Sequence, residues 1–430
     1  MHTLVPTFLV LPFGLLLAMI ATGPVLYPHW WHRHYGWIAP SLGLVVVAYY
    51  LQVLGAWQQP LEALVEYVQF ITLIGALYVA SGGIWIDIRR PASPAVNLAL
   101  LWTGALLANG IGTTGASMLL IRPYIRLNQR HIQPYHIIFF IFMVSNVGGA
   151  LTPIGDPPLF LGFLKGVPFF WTLRHGLAPW ALALGVLGAL FYGLELSRGT
   201  EAPEQVAAGP WVAIRGSSNF LWLALMVGAV FLDPAVAAWV PSWTYGGHRY
   251  ACLREVVLVV LAIAAYRSTE AEVLEKNGFT MEPLREVALL FIGIFATMMP
   301  ALTLINHWAG SPAGQALLTP DSLYWGTGLL SSMLDNAPTY LSLLNAGMAS
   351  QGQQVLGYAT YCTRYLQATS LAAVFFGAMT YIGNGPNFMV RAIAMAHGVR
   401  MPSFGRYIYR YALPFLLPVL VLVWWCFVHA

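Results

Sequence analysis

Apolar runs, most of them of about 20 residues, follow one another along nearly the whole chain, and a run of that length crosses the roughly 30 Å hydrocarbon core of a bilayer as one helix. They fall near residues 5–27, 36–54, 67–87, 97–127, 136–164 and 176–196, then near 217–240, 253–267, 284–304, 322–348, 366–396 and 408–428. Of the 430 residues, 58% are hydrophobic and 8% charged, where a soluble domain carries about 25% charged residues. No water-soluble surface can be built from that supply. The expected fold class is an all-α polytopic membrane protein, its partner the lipid bilayer and its location a bacterial inner (plasma) membrane.

The remaining composition excludes more than it specifies. A net charge of +4, mostly from scattered Arg, gives no reason to expect a nucleic-acid partner. Cys252, Cys362 and Cys426 are far apart, odd in number and without CxxC spacing, so neither a disulfide framework nor a zinc site is expected. The stretch from Val5 to Leu26 lacks a positive n-region and a small-x-small cleavage site, and reads as a retained helix. Aromatic residues crowd the expected membrane edges, as in HWWHRHYGW from His29 to Trp37, where His29, His32 and His34 match no standard metal spacing. Arg33 and the pair Arg89 and Arg90 are read as loop residues on one, cytoplasmic, side; a loop holding Glu62 and Glu66 lies between them.

The polar, small-residue segment 197–216 divides the chain into a first unit, 1–196, and a second, 217–430, with the same order of apolar runs. Four runs are interrupted by Gly or Pro together with Asn, Asp, Ser or Thr: Ala108–Ser117, Ser145–Pro158, Leu334–Tyr340 and Gly377–Asn387. Lipid offers no hydrogen bonds, so a spanning helix can unwind only where protein or a water-filled cavity satisfies its backbone. The second and fourth interruptions align without gaps: GALTPIGDPP from Gly149 matches GAMTYIGNGP from Gly377 at six of ten positions. The first and third precede their partners by similar distances, so a module of two breaks is duplicated. Interrupted segments at matching places in two halves point to a transporter's midplane site.

The motifs SNVGGALTPIGDPPLFLGF, MLDNAPTYLSLL and AMTYIGNGPNFMVRAIA resemble signatures of the ion-transporter superfamily, in particular its NhaD-type sodium/proton antiporter and citrate-transport branches. The resemblance covers most of the chain. It implies two inverted repeats, each with a re-entrant hairpin and an unwound transmembrane helix, and often a homodimer. One departure concerns substrate. The superfamily's dicarboxylate carriers favour Ser-Asn-Thr triplets and a neutral residue after TPIG, whereas Ser145-Asn146 is followed here by Val147, and TPIG by Asp156.

Asp156 and Asp335 are the foremost candidates for ion binding, because a carboxylate near the bilayer centre costs about 2.5–3.5 kcal/mol on insertion scales. Each has a structural reading beside the functional one. Asp156 precedes Pro157-Pro158 and is placed to cap a half-helix, and Asp335 precedes Asn336-Ala-Pro338 as an Asx-turn former. A desolvated carboxylate holds its proton more tightly, so it can exchange that proton for sodium, the only metal ion expected at Asp156 and Asp335. Asn109, Thr113, Thr114, Ser145, Asn146, Thr152, Asn336, Thr339, Thr380, Asn384 and Asn387 supply oxygens and amides at the breaks, either for a hard cation or for the unwound backbone. Glu66 and Glu286 read as interfacial residues, and Arg391 as one that snorkels to the interface.

The leading expectation is a secondary transporter exchanging sodium or another cation for protons, without a resident cofactor. The alternative is sodium- or proton-coupled uptake of citrate or another carboxylate, held by half-helix N-termini. An intramembrane aspartyl protease has little support, since the Pro-Pro after Asp156 and the duplicated breaks have no role in one. HExxH, GxSxG and phosphate-binding lysine motifs are absent, so no other enzyme class is expected.

Overall fold

A computed structural model describes residues 5–197, 211–234, 239–245 and 248–429. The first half runs through α1 (Leu11–Leu26), α2 (Pro28–Gln52), α3 (Gln58–Gly82), strand β1 (Trp85–Ile88), α4 (Pro94–Leu127), α5 (Pro134–Met143), a 3₁₀ segment at Val147–Leu151, α6 (Pro157–Leu164) and α7 (Trp171–Ser197). The second comprises β2 (Val212–Arg215), α8 (Ser218–Ala229), β3 (Trp243–Tyr245), β4 (His248–Tyr250), α9 (Leu253–Ser268), α10 (Ala271–Lys276), α11 (Glu282–Ala309), α12 (Pro312–Leu317), α13 (Pro320–Met333) and α14 (Asn336–Ser350). It ends with α15 (Val355–Tyr361), α16 (Thr363–Phe375), a 3₁₀ segment at Phe376–Met379, α17 (Gly385–Ala396) and α18 (Phe404–Phe427), which contains a π-helical stretch.

The local signals for these starts are plain. Pro28, Pro94, Pro134, Pro157, Pro312 and Pro320 each open a helix, where the missing N–H costs nothing. Ser93 accepts the Val96 N–H at 3.3 Å, and Thr319 and Ser322 form a reciprocal capping box ahead of α13.

Among the described residues six segments are long and apolar enough to cross a membrane. One of them, α4, is not a single rod. The side-chain amides of Asn97 and Asn128, near its two ends, exchange hydrogen bonds of 2.8 Å, whereas 31 residues of straight helix would separate them by about 46 Å. The chain turns back at Gly112, whose φ of 78° and ψ of 153° are open only to glycine, and Leu120 then lies against Gly104. In the second half α13 and α14 also double back, around the extended residues Leu334 and Asp335, so that Leu323 and Ala346 share one apolar cluster.

The other two breaks match each other in backbone as well as in sequence. Each passes from helix through a 3₁₀ segment to an extended Thr, Thr152 (φ −135°, ψ 156°) or Thr380 (φ −139°, ψ 169°). Each re-enters helix after an extended residue, Asp156 (φ −142°, ψ 143°) or Asn384 (φ −150°, ψ 141°). Gly155 presses on the Gly149 carbonyl and Gly383 on that of Gly377, approaches that leave no room for a Cβ. The halves cross at the breaks, α17 packing on α4 and α14 on α6.

Leu44, Leu106, Val260 and Leu329 are among many large apolar side chains left exposed, a coat suited to lipid rather than water. Three local expectations need correcting. α2 begins at Pro28, so Arg33 and the histidines at 29, 32 and 34 lie in a helix, and Glu62 and Glu66 lie in α3 rather than in a loop. The orientation read from loop charges therefore loses most of its basis. Of the expected linker 197–216, residues 198–210 lie outside the described residues, while Val212–Arg215 pairs antiparallel with Trp85–Ile88.

Candidate functional site

The site forms where four helix N-termini meet: the returning arm of α4 at Thr113, α6 after Asp156, α14 after Asp335 and α17 after Asn384. Each turns the positive end of its helix dipole toward the meeting point, roughly half a charge for an ideal helix. At their meeting point lies Asp156, 1% exposed. Its Oδ1 accepts from the Thr113 hydroxyl at 2.7 Å and from Asn384 Nδ2 at 3.1 Å, and its Oδ2 accepts from Asn336 Nδ2 at 3.1 Å. Two of these three donors come from the other half of the chain.

Asp156 makes no side-chain cap to α6, which corrects the capping reading. Its carboxylate turns away to Thr113, Asn336 and Asn384, and Pro157 and Pro158 offer no N–H at the helix start. Asp335 does cap, accepting the Ala337 N–H at 3.1 Å at the head of α14. It is only half-buried, and it also faces a cavity.

Beneath the carboxylate the amides interlock. Asn384 Nδ2 also reaches the Asn146 side-chain oxygen and the Ser145 carbonyl, both at 3.2 Å, and Asn146 Nδ2 donates to Asn387 Oδ1 at 2.7 Å. Asn387 in turn donates to the freed carbonyls of Gly377 and Thr380. The Ser145 hydroxyl meets that of Ser117 at 2.8 Å. Sequence reasoning missed Ser331, whose hydroxyl holds Asn336 Oδ1 at 2.6 Å and so aims the amide at Asp156. A serine one helical turn before the DNAP break was the available signal.

The remaining expected residues brace the backbone. Thr152 donates to the Asn109 carbonyl at 2.6 Å, Asn109 donates to the Gly148 carbonyl and accepts from the Leu151 N–H, and Thr380 donates to the Ser332 carbonyl. Thr339 donates to the Asp335 carbonyl at 3.0 Å within its own helix. Thr152, Asn109 and Thr380 brace the unwound chain, and none of the four meets the carboxylate.

Thr114 lines a cavity of about 160 Å³ together with Asp335, Asn384, Tyr381, His32 and Glu286. A smaller cavity beside it reaches Asp156 and shares Thr114, Pro157 and Tyr78 as walls. Glu286, expected at the interface, thus faces this space, while Glu66 pairs with Lys165 at the far end of α6. The Arg391 guanidinium stacks over the Tyr381 ring, 4.9 Å from its centroid. Among the described residues no three His, Cys, Asp or Glu side chains group as a metal site.

A family model described as "Putative citrate transport" matches residues 2–428. The chain belongs to this family. A "46 kDa membrane protein" of Mycobacterium leprae is 27% identical over 335 residues, covering 75% of this chain and 74% of that protein. As a member of the citrate-transport family the chain is a secondary transporter of the ion-transporter superfamily, a polytopic integral protein of a bacterial inner membrane, and not an enzyme. Its matched breaks, read first as sequence, bring Asn336 and Asn384 within hydrogen-bond distance of Asp156.

Proposed function

We propose that the chain is a cation-coupled transporter of citrate or a chemically similar carboxylate, with the transport site at the meeting of the four helix N-termini. The observation that carries this reading is Asp156 itself, a buried carboxylate held by one donor of its own half and two of the other. An anion entering from the cavity would be drawn by the N-termini, while Asp156 and Asp335 would repel it unless a cation came with it. Near balance between about two positive charges of helix dipole and two carboxylates makes joint binding of an anion and its counter-cation the favourable case. The family match to citrate transport points the same way.

In this reading residues 1–196 and 217–430 are inverted repeats joined by 197–216. The two hairpins, α4 and α13–α14, are re-entrant, and α5–α6 and α16–α17 are the unwound spans. Cation/proton antiport is the second reading, favoured by the acidic residue in each half at the break tips.

Proteoliposomes separate the two. Under an imposed sodium or pH gradient, labelled citrate should accumulate inside. Sodium- or lithium-driven proton movement with no organic acid present, and no citrate entry, would establish antiport instead.

A further inference from the structure

The strands β1 and β2, one from each half, carry the same pattern: Trp-Ile-Asp-Ile-Arg at residues 85–89 and Trp-Val-Ala-Ile-Arg at 211–215. They pair antiparallel, with Trp85 opposite Arg215 and the Arg89 N–H on the Trp211 carbonyl at 2.9 Å. Each end of the ribbon therefore holds a tryptophan and an arginine. Side chains alternate across a strand, so Ile86, Ile88, Val212 and Ile214 share one face, and Trp85, Asp87 and Arg215 the other. The apolar face is wider than the core beneath it. Ile86 is buried in that core, while Val212 and Ile214 are 48% and 46% exposed, and Trp211 beside them is 66% exposed.

A two-stranded ribbon is marginal by itself, and this one is pinned by its neighbours. Asn277, after α10, donates to the Gly82 and Ile84 carbonyls at 2.8 and 2.7 Å, and Asn219 of α8 donates to the Gly83 carbonyl at 3.2 Å. Arg126 donates to the Ile86 carbonyl at 2.8 Å from the end of the α4 arm that begins at Thr113. The ribbon is thus a fixed platform at the base of the first hairpin.

Cations gather on its two indoles. Arg126, Lys276 and Arg215 lie 5.4, 5.2 and 5.9 Å from the centre of the Trp85 ring, and Arg90 stacks on Trp211 at 3.1 Å. Glu272 is shared by Arg215 and Lys276, and Asp87 pairs with Arg89, all at well-exposed positions where such pairs hold weakly. Arg90 and Arg126 make no ion pair among the described residues. A guanidinium stacked on a ring keeps its N–H edge free, and that edge matches phosphate oxygens.

The neighbouring helices place the ribbon in the bilayer. α8 follows directly on β2 and packs on α9, and Asn219 at the start of α8 also donates to Thr269 at the end of α9. Leu221 and Leu225 of α8 and Val260 and Ile263 of α9 are exposed, so the lipid-facing coat runs up to the ribbon and stops there. Tryptophan with arginine at the edge of such a coat marks headgroup depth.

We propose that the β1–β2 ribbon is a binding platform for anionic phospholipid, with Arg90, Arg215 and Lys276 holding the headgroup and Trp211, Val212 and Ile214 entering the acyl boundary. Bilayer lipid meets both parts of this surface, the cationic and the apolar. A second copy of the chain docked ribbon to ribbon would set like charges against each other. The inference does not depend on what the protein transports.

Native mass spectrometry of the full-length protein, released from nanodiscs of equal parts phosphatidylglycerol and phosphatidylcholine, counts the lipids that stay bound. Wild type should retain phosphatidylglycerol in preference. Arg90→Gln with Arg215→Gln should lower that preference about fivefold for each cation removed. Arg174→Gln with Arg364→Gln makes the same charge change at exposed positions outside the ribbon and should keep it. Trp211→Ala should lower it too, because Arg90 loses the ring it stacks on. Added phosphatidylglycerol should also raise the thermal unfolding midpoint of wild type more than that of the ribbon variant. No preference in wild type, or one as strong in the ribbon variant as in the control, overturns the proposal. A dimer that the ribbon variant loses, with lipid retention unchanged, would overturn it in favour of a second copy.

Discussion

Asn384 donates its side-chain amide to the carboxylate of Asp156 at 3.1 Å, and the two occupy the same position of the duplicated motif. One copy of the motif carries an acid and the other supplies a neutral donor to it. The two copies meet because each re-enters helix through the same extended conformation, with the side chain turned away from its own helix. The crossing of the halves thus pairs one carboxyl with one amide, and the amide can donate where a second carboxylate could not.

Asp156→Asn should abolish coupled transport while membrane insertion is unaffected. The amide keeps the size of the side chain but can neither take up a proton nor balance a cation, so flux should fall by roughly an order of magnitude or more. Retention of normal labelled-citrate flux in Asp156→Asn proteoliposomes would reduce the residue to a structural role.

Asp335 combines capping with a place on the cavity wall, and two substitutions separate these. Asparagine caps as well as aspartate, so Asp335→Asn should change thermal stability by less than about 0.5 kcal/mol, while Asp335→Ala should cost about 1 kcal/mol. Both should raise the sodium or proton concentration needed for half-maximal transport. Equal transport loss only in proportion to stability would assign Asp335 to the cap alone.

Gly112→Ala should cost about 1–3 kcal/mol, because the turn of α4 needs a conformation that alanine adopts only under strain. Gly110→Ala is the control, since a Cβ there meets nothing within 4 Å. Thermal unfolding of both variants in the same lipid would show it, and transport should be impaired in Gly112→Ala only.

Opposite orientation of the two halves places the turns after α6 and α17 on opposite sides of the membrane. Gly166 and Gly398 mark those turns but have φ of 108° and 83°, so cysteines there would be strained. Pro168→Cys and Arg400→Cys, both exposed, serve instead after Cys252, Cys362 and Cys426 are replaced by serine. A membrane-impermeant thiol reagent should reach one from each side. Labelling of both from the same side would count against inversion.

The membrane class, the four breaks and the pairing of two of them were legible in the sequence, because apolar runs and Gly/Pro interruptions are local and the copied motif repeats residue for residue. Local chemistry also pointed correctly to Asp335 as a cap, since an Asp before Asn-Ala-Pro can bond an amide two residues on. It could not tell that Asp156, in the same kind of position, would not cap. That depends on Thr113, Asn336 and Asn384 lying nearer than the amides of its own helix, and these residues are brought together only by packing α14 on α6 and α17 on α4. For the same reason the interrupted run of α4 proved to be a hairpin, its base closed by the Asn97–Asn128 amide pair. Composition records how much lipid-soluble helix a chain has, but the direction in which a side chain turns is decided by the nearest partner, and in this fold that partner is often in the other half of the sequence.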